Sequence, residues 1–373
     1  MLHHSLTIKR AIRQDPPEQL GRPSRPFLEA AMRTGRIDEA RQWLDYLLAE
    51  AGGIHYLLGV WNWYMVRAVL DRDGEKQWPA LVRETVAPWL TTTAGMRDLG
   101  AVVVETDGLD ARLSSPGLPQ DIHLIQGDRR YFVTVGTAEA QAQQRDAWRE
   151  QVLTAVATGA EDAFTAALDA LRLQDRFIHD VLSDWTWALL TAVVRRWGEE
   201  GLGDIQRQTE EPWVTVRYAA MADVTPEESL QLSVEAHRGH FAGPLRDGSV
   251  TVRDEPDRYV IQIDQCGSGA RMVQGDTVIG TPSRYDPPYN FARIEGAYDW
   301  TWGLRGVGAY CSHCAIVNQI LPIERLGRPM RGTAFSDQTQ PPCQWFIYKR
   351  PFAAPDEAFA QVGKQRPDRG GTA

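Results

Sequence analysis

Cysteine is scarce in this chain of 373 residues: there are four, all between Cys266 and Cys343. That confinement argues against a disulfide framework spread over the whole chain. The opening Met1-Leu2-His3-His4-Ser5 lacks the apolar core of a secretory leader, so a reducing cytoplasm is the expected compartment. Long apolar runs are missing too. The most apolar stretch, near Trp185 to Val194, is interrupted by Asp184 and closed by Arg195-Arg196, short of the roughly 18 to 20 residues that span a bilayer. No membrane partner is expected. Basic charge is not in excess: the formal net charge is −9 and the basic residues are scattered, which excludes a nucleic-acid partner from the expectations. Also absent are a Gly-x-Ser-x-Gly elbow, a phosphate-binding P-loop and a His-Glu-x2-His helix, so three common catalytic signatures do not apply.

Hydrophobic residues make up 43% and charged residues 24%, the balance of a folded chain long enough for two or three cores. The thirteen tryptophans point to large, partly apolar internal surfaces or pockets. From Ala31 onward the sequence repeats itself. Thr34-Gly35 returns as Thr158-Gly159, Leu44-Asp45 as Leu168-Asp169, Ile54-His55 as Ile178-His179 and Pro88-Trp89 as Pro212-Trp213. Trp61 and Trp63 return as Trp185 and Trp187, and Gly74-Glu75 as Gly198-Glu199. About 21 of roughly 60 paired positions between Ala31 and Leu90 are identical, where chance gives roughly 4; that is an internal duplication. The similarity resumes in Ile122 to Val135 and Val250 to Ile263, each apolar around a polar turn, as a β-hairpin is.

The predicted fold is therefore α+β: two tandem copies of a helical-layer-plus-β-hairpin unit, with a Cys-rich zinc lobe on the second. Residues 1–30 form an extended N-terminal arm, 31–135 the first unit, 136–145 a linker, 146–263 the second unit, 264–350 the cysteine lobe and 351–373 a mobile tail. Each helical layer reads as a shorter helix (37–51, 161–173) and a longer one (54–72, 177–197), with Gly74 and Gly198 at C-terminal caps. Equivalent faces of the two copies are expected to pack with pseudo-twofold symmetry, and a homo-oligomer is left open.

The cysteines carry the strongest chemical signal. Cys311 and Cys314 flank Ser312-His313 on one tight turn, and Cys266 and Cys343 are placed to complete a tetrahedron around a soft cation. Zinc is the expected cofactor; an iron–sulfur cluster uses the same ligand set, and four unliganded buried thiols are the plain alternative. His313 is either a further ligand, a hydrogen-bonding neighbour of one, or an exposed turn residue. A second group lies on the longer helix of the second copy. His179 and Asp180 are joined one turn on by Asp184, a set able to divide acid and base roles or bind a metal. His55 repeats the histidine, but Tyr56 and Val60 stand where the second copy has the two acids. Trp185 and Trp187 would wall the site. His237-Arg238-Gly239-His240 offers a further histidine pair, with His240 the candidate for proton transfer, although solvated loop histidines are the ordinary reading. Gly267-Ser268-Gly269-Ala270-Arg271 reads as a small nest followed by a cation, with Arg271 anchoring a substrate carboxylate or pairing with Glu324.

A helical layer leading into a cysteine-bearing α/β lobe closed by Cys343-Gln-Trp-Phe-Ile-Tyr348 resembles the aminothiazoline-carboxylate hydrolases and the vinyl-reductase-type small-molecule-binding domains, over roughly residues 150 to 350. The resemblance implies a small-molecule ligand and, from the second group, zinc held by cysteines and a histidine. The expected function is a zinc-containing enzyme acting on a small polar organic molecule, a hydrolase or an addition–elimination enzyme. The alternatives are a non-catalytic small-molecule sensor with structural zinc and an iron–sulfur redox protein.

Overall fold

A computed structural model describes residues 2–6, 10–77, 80–81, 84–85, 102–104, 133–135, 138–221, 224–243, 246–337, 341–350 and 353–367. Helices dominate and the strands form small antiparallel sheets, so the class is α+β. The chain divides into two compact units. One comprises residues 23–192 and 239–241; the other comprises 1–22, 193–238 and 242–373.

The first of these is a helical layer made by α2 (Arg25–Arg33), α3 (Ile37–Asp73), α4 (Ala138–Thr158) and α5 (residues 161–197, of which those to 192 belong here). Asp38 and Glu39 in the first turn of α3 suit the positive end of the helix dipole. The predicted break at Gly52-Gly53 does not occur. Two glycines cost about 1 kcal/mol each in a helix, but Ala51, Ile54 and Leu58 are buried on either side and hold the helix through them. The linker expected at 136–145 likewise gives way to helix from Ala138, as its Ala- and Gln-rich composition permits.

Equivalent positions share local geometry. Gly35 and Gly159 have φ of 62° and 67°, and the N–H groups of Arg36 and Ala160 donate to Ala31 and Ala155. Thr34 and Thr158 each bond the carbonyl four residues back at 2.9 Å. Arg25 pairs with Asp169 at 2.5 Å, and Arg149 with Asp45 at 2.7 Å. Thr186 Oγ1 donates to Asn62 Oδ1 at 2.8 Å in the buried interior. Asn62 also donates to the Leu182 carbonyl at 3.1 Å, and His55 meets the Asp175 carbonyl. Both contacts advance by about two turns along the two helices, so α3 and α5 run parallel.

The other unit holds the cysteines. After α1 (Pro17–Leu20), its helices are α6 (residues 199–221), α7 (Pro226–Gly239) and α8 (Ala270–Gln274). α5 and α6 meet at Gly198, whose φ of 71° and ψ of −175° belong to no helix. The sheet has the order β5-β6-β10-β9, from Thr251–Asp254, Arg258–Ile263, Cys343–Tyr348 and Gly332–Ala334. β5 and β6 are the second predicted hairpin, with Val252 opposite Ile261. Of the first predicted hairpin, only β4 (Val133–Val135) is described, and it pairs with β3 (Val102–Val104); its remainder, with Pro88-Trp89, lies outside the described residues. One face of the four-stranded sheet presents Val252, Tyr259, Ile261, Ile263, Trp345 and Ile347, packed with Leu20, Leu230 and Val234. Alternation along the strands puts these residues on one side.

Both chain ends depart from expectation. The N-terminal arm folds: β1 (Leu2–Ser5) pairs with β2 (Arg10–Arg13), and Leu20 joins the core under the sheet. Val250 N–H donates to the Gly21 carbonyl at 3.0 Å, and a side chain on Gly21 would lie 1.8 Å from the Val250 oxygen. Only glycine permits that approach. Residues 353–367 pack rather than trail: Ala354, Phe359 and Val362 are buried, and Gln319 donates to the Ala358 carbonyl at 2.9 Å. Scattered apolar residues in a Pro- and Gly-rich tail carry no periodicity, so this docking left no helical or strand signal.

Candidate functional site

β6 ends at Ile263, whose register partner Cys343 opens β10. Cys266 and Cys343 therefore leave the same end of one strand pair. Cys311 and Cys314 come from the turn into α9 (His313–Ala315), where Cys314 N–H donates to the Cys311 carbonyl at 3.2 Å. Gln206 on α6 pins this turn. Its Nε2 donates to the Ala309 carbonyl, and its Oε1 lies 2.9 Å from Ser312 Oγ. Gly269 separates two of the thiols: a Cβ there would lie 3.3 Å from Cys311 Sγ and 3.4 Å from Cys266 Sγ. Cys266, Cys314 and Cys343 all pack against the core beneath the sheet.

The peptide N–H groups of Ser268, Gly269 and Ala270 face Cys266 Sγ, and Ser336 N–H meets Cys343 Sγ at 3.1 Å. Such donors favour a thiolate. Burial outweighs them. It raises Cys266 against those donors and the charge of Arg271, pushes Cys343 up to about 12, and lifts Cys311 and Cys314 well above the usual thiol range, the last three helped by the charges of other cysteines. Among the described residues no three His, Cys, Asp or Glu side chains stand in an arrangement that holds a metal ion. The donor set is thus chemically right for a soft cation while its sulfurs are not drawn onto one point.

Around the thiols lies a buried polar group. His313 Nδ1 is 2.6 Å from the Tyr310 carbonyl, which fixes the proton on that nitrogen, and its Nε2 faces Cys314 Sγ at 3.6 Å. Burial and the charge of Arg331 bring His313 down to about 4 against that hydrogen bond. His237, in the last turn of α7, has its ring 4.0 Å from that of Trp345 and tilted to it by 48°, and the Arg331 guanidinium lies 4.5 Å from the same indole. Burial and Arg331 lower His237 to about 3. Arg331 Nη1 donates to Asn318 Oδ1 at 3.1 Å. Asn318 sits in a π-helical stretch, Ile316–Ile320, between α9 and α10 (Leu321–Leu326), an irregularity frequent at functional sites. Glu210 on α6 is fully buried, its charge acts on Cys314, and neither carboxyl oxygen has a hydrogen-bond partner among the described residues. Burial holds it well above the usual carboxylate range.

Arg271 is in this unit, but it is tied down. Its Nε donates to the Gly267 carbonyl and its Nη1 to Asp276, both at 2.8 Å, and Arg246 pairs with the same carboxylate. Burial would raise Asp276, but the two guanidinium groups hold it below the usual range. Glu324, the other partner considered for Arg271, instead takes Arg207 and Lys364.

The second predicted group belongs to the helical unit. His179 Nδ1 and Asp180 Oδ1 are 2.9 Å apart and fully buried, and the rings of His240 and Phe241 lie at 5.7 Å from the imidazole. Asp184 is buried one turn further along. His179 also acts on His55, which burial keeps well below its ordinary value. Trp185 spends its indole N–H on Thr85 at 3.0 Å, and Trp187 is fully buried core. His179, Asp180, Asp184, His240 and the two tryptophans thus fall in one unit, and the four cysteines with Arg271 in the other. The His-x2-His pair itself is divided, His237 going with the cysteines and His240 with His179. Glu210, Gln206, Asn318 and Arg331 carried no motif. Comparison of the two copies would have exposed Glu210, since Val86 stands at its equivalent position.

No protein-family model, no curated protein and no solved structure matches this chain.

Proposed function

We propose that this protein is a zinc-containing enzyme acting on a small polar organic molecule by hydrolysis or addition–elimination. Cys266, Cys311, Cys314 and Cys343 would hold the metal, and two tandem copies of one helical unit would form the scaffold. What supports the metal is that Cys266 and Cys343 leave one end of the β6–β10 pair, with Cys311 beside Cys266 across Gly269 and peptide N–H groups aimed at two of the sulfurs. Those donors suit thiolates, and a thiolate without a cation would not survive in so buried a place. A closed four-cysteine zinc site binds and braces; with one position open it also polarises water or a carbonyl. The likeness of residues 150 to 350 to aminothiazoline-carboxylate hydrolases is why hydrolysis leads.

The duplication is supported by the exchanged pairs Arg25–Asp169 and Arg149–Asp45, and by contact between the equivalent residues Asn62 and Thr186. Such reciprocity is what an isologous interface gives. Chemistry on the substrate falls to the polar groups beside the thiols; the His179–Asp180 pair in the helical unit is the other source of proton transfer.

Metal analysis of protein purified without chelator decides the first point. About one zinc per chain is expected, falling in Cys314→Ser together with the thermal stability of the cysteine-bearing unit. Visible absorbance with bound iron would replace zinc by an iron–sulfur cluster, and metal-free protein with unchanged stability would remove the proposal.

A further inference from the structure

The cysteine-bearing unit offers a soft cation the four thiols and His313, one donor more than a tetrahedral zinc takes. Geometry separates them. His313 Nδ1 gives its proton to the Tyr310 carbonyl at 2.6 Å, so Nε2 carries a lone pair, and that atom lies 3.6 Å from Cys314 Sγ. With Zn–S of about 2.3 Å and Zn–N of about 2.0–2.1 Å, tetrahedral zinc sets a nitrogen and a sulfur ligand about 3.6 Å apart. The two side chains are already spaced as one edge of such a polyhedron. A carbonyl on the far ring nitrogen is also the usual support of a metal-bound imidazole, since it fixes the tautomer and aims the ring. Zinc that takes Cys314 as a thiolate displaces the proton between sulfur and nitrogen, and shared by both atoms it satisfies the two at once.

Cys343 is held for something else. Its Sγ donates to the Ser336 carbonyl at 2.7 Å and accepts the Ser336 N–H at 3.1 Å, a clasp on both backbone groups of one residue. A thiolate has no proton for that carbonyl, so ligation would turn sulfur lone pairs against its oxygen and lose the bond. Cys266 and Cys311 approach one another instead: their sulfurs lie 3.4 and 3.3 Å from the point where a Cβ on Gly269 would stand. We propose that the zinc ligands are Cys266, Cys311, Cys314 and His313, and that Cys343 stays a thiol clasping Ser336. The inference rests on the zinc reading above and changes one corner of it. Exchanging a thiolate for a neutral imidazole removes a negative charge from a buried centre, where charge is expensive.

X-ray absorption at the zinc edge of full-length wild-type protein reads the ligands directly. Three sulfurs at about 2.3 Å and one nitrogen at about 2.0–2.1 Å are expected, with the multiple scattering of an imidazole ring. Cys343→Ser, whose hydroxyl can keep both bonds to Ser336, should retain about one zinc per chain and an unchanged shell. His313→Ala should weaken zinc, in competition with a chelator, by more than the roughly 10- to 100-fold that loss of a ligand's hydrogen-bonding neighbour costs. A four-sulfur shell in wild type overturns the proposal while leaving the metal in place. So does a Cys343→Ser protein that loses its zinc, or a His313→Ala loss no larger than a neighbour's. Wild type without zinc, or with iron instead, ends the zinc reading and this inference with it. Should His313→Ala fail to fold, the wild-type shell and Cys343→Ser decide.

Discussion

His237 shows how much a single side chain can set. Its ring lies 4.0 Å from that of Trp345 and beside Arg331, and its folded-state value of about 3 lies far below the ordinary 6.5 of a histidine. Between those values the unfolded chain binds a proton that the folded one refuses. The stability tied to neutral His237 is therefore intact above about pH 6.5 and is lost as the pH falls toward 3. In His237→Phe, which keeps a ring on Trp345, the fall in denaturation midpoint from pH 7 to pH 4.5 should be visibly shallower than in wild type; parallel curves would remove this group from the acid response. The residue was legible as one of a histidine pair, but its role was not. Sequence spacing places His237 and His240 together, whereas three residues of a helix end are enough to send them to different neighbours.

Among the elements, the helices were the most legible, because 3.6-residue periodicity and repeated glycines mark them. Their continuity was not. α3 runs through Gly52, where an added Cβ meets nothing within 4 Å, while the two long helices α5 and α6 meet at Gly198 in a backbone region open to glycine. Opposite outcomes follow for one substitution. Gly52→Ala should raise stability by about 0.5–1 kcal/mol, by removing freedom from the unfolded chain. Gly198→Ala should lower it by about 1–3 kcal/mol, both read from chemical denaturation. The strand pair β5–β6 was legible from alternation, but the placement of β10 between β6 and β9 was not. Long-range pairing leaves no trace in local pattern beyond the apolar Trp345 and Ile347.

At the level of the whole molecule, the duplicated stretch and the compact units do not share boundaries. Sequence similarity separates 31–135 from 146–263, yet α3 of the first copy is buried against α4 and α5 of the second, through contacts such as Asn62 with Leu182 and Thr186. A fragment of residues 23–192 should therefore give a cooperative helical melt by circular dichroism, whereas residues 31–135 should not; cooperative melting of the shorter piece would restore the sequence-based division. The reason is that a helix face covered by helices far along the chain leaves no mark in the local pattern. The strap formed by the first 22 residues has a consequence for biosynthesis. Leu20 and Gly21 leave the ribosome long before Val234 and Val250, against which they are finally held. Nascent chains grow at roughly 5–20 residues per second, so Leu20 and Gly21 must wait for these partners while the intervening helices assemble. The lobe with the thiols can close only once β10, which lies between β6 and β9, has emerged as well.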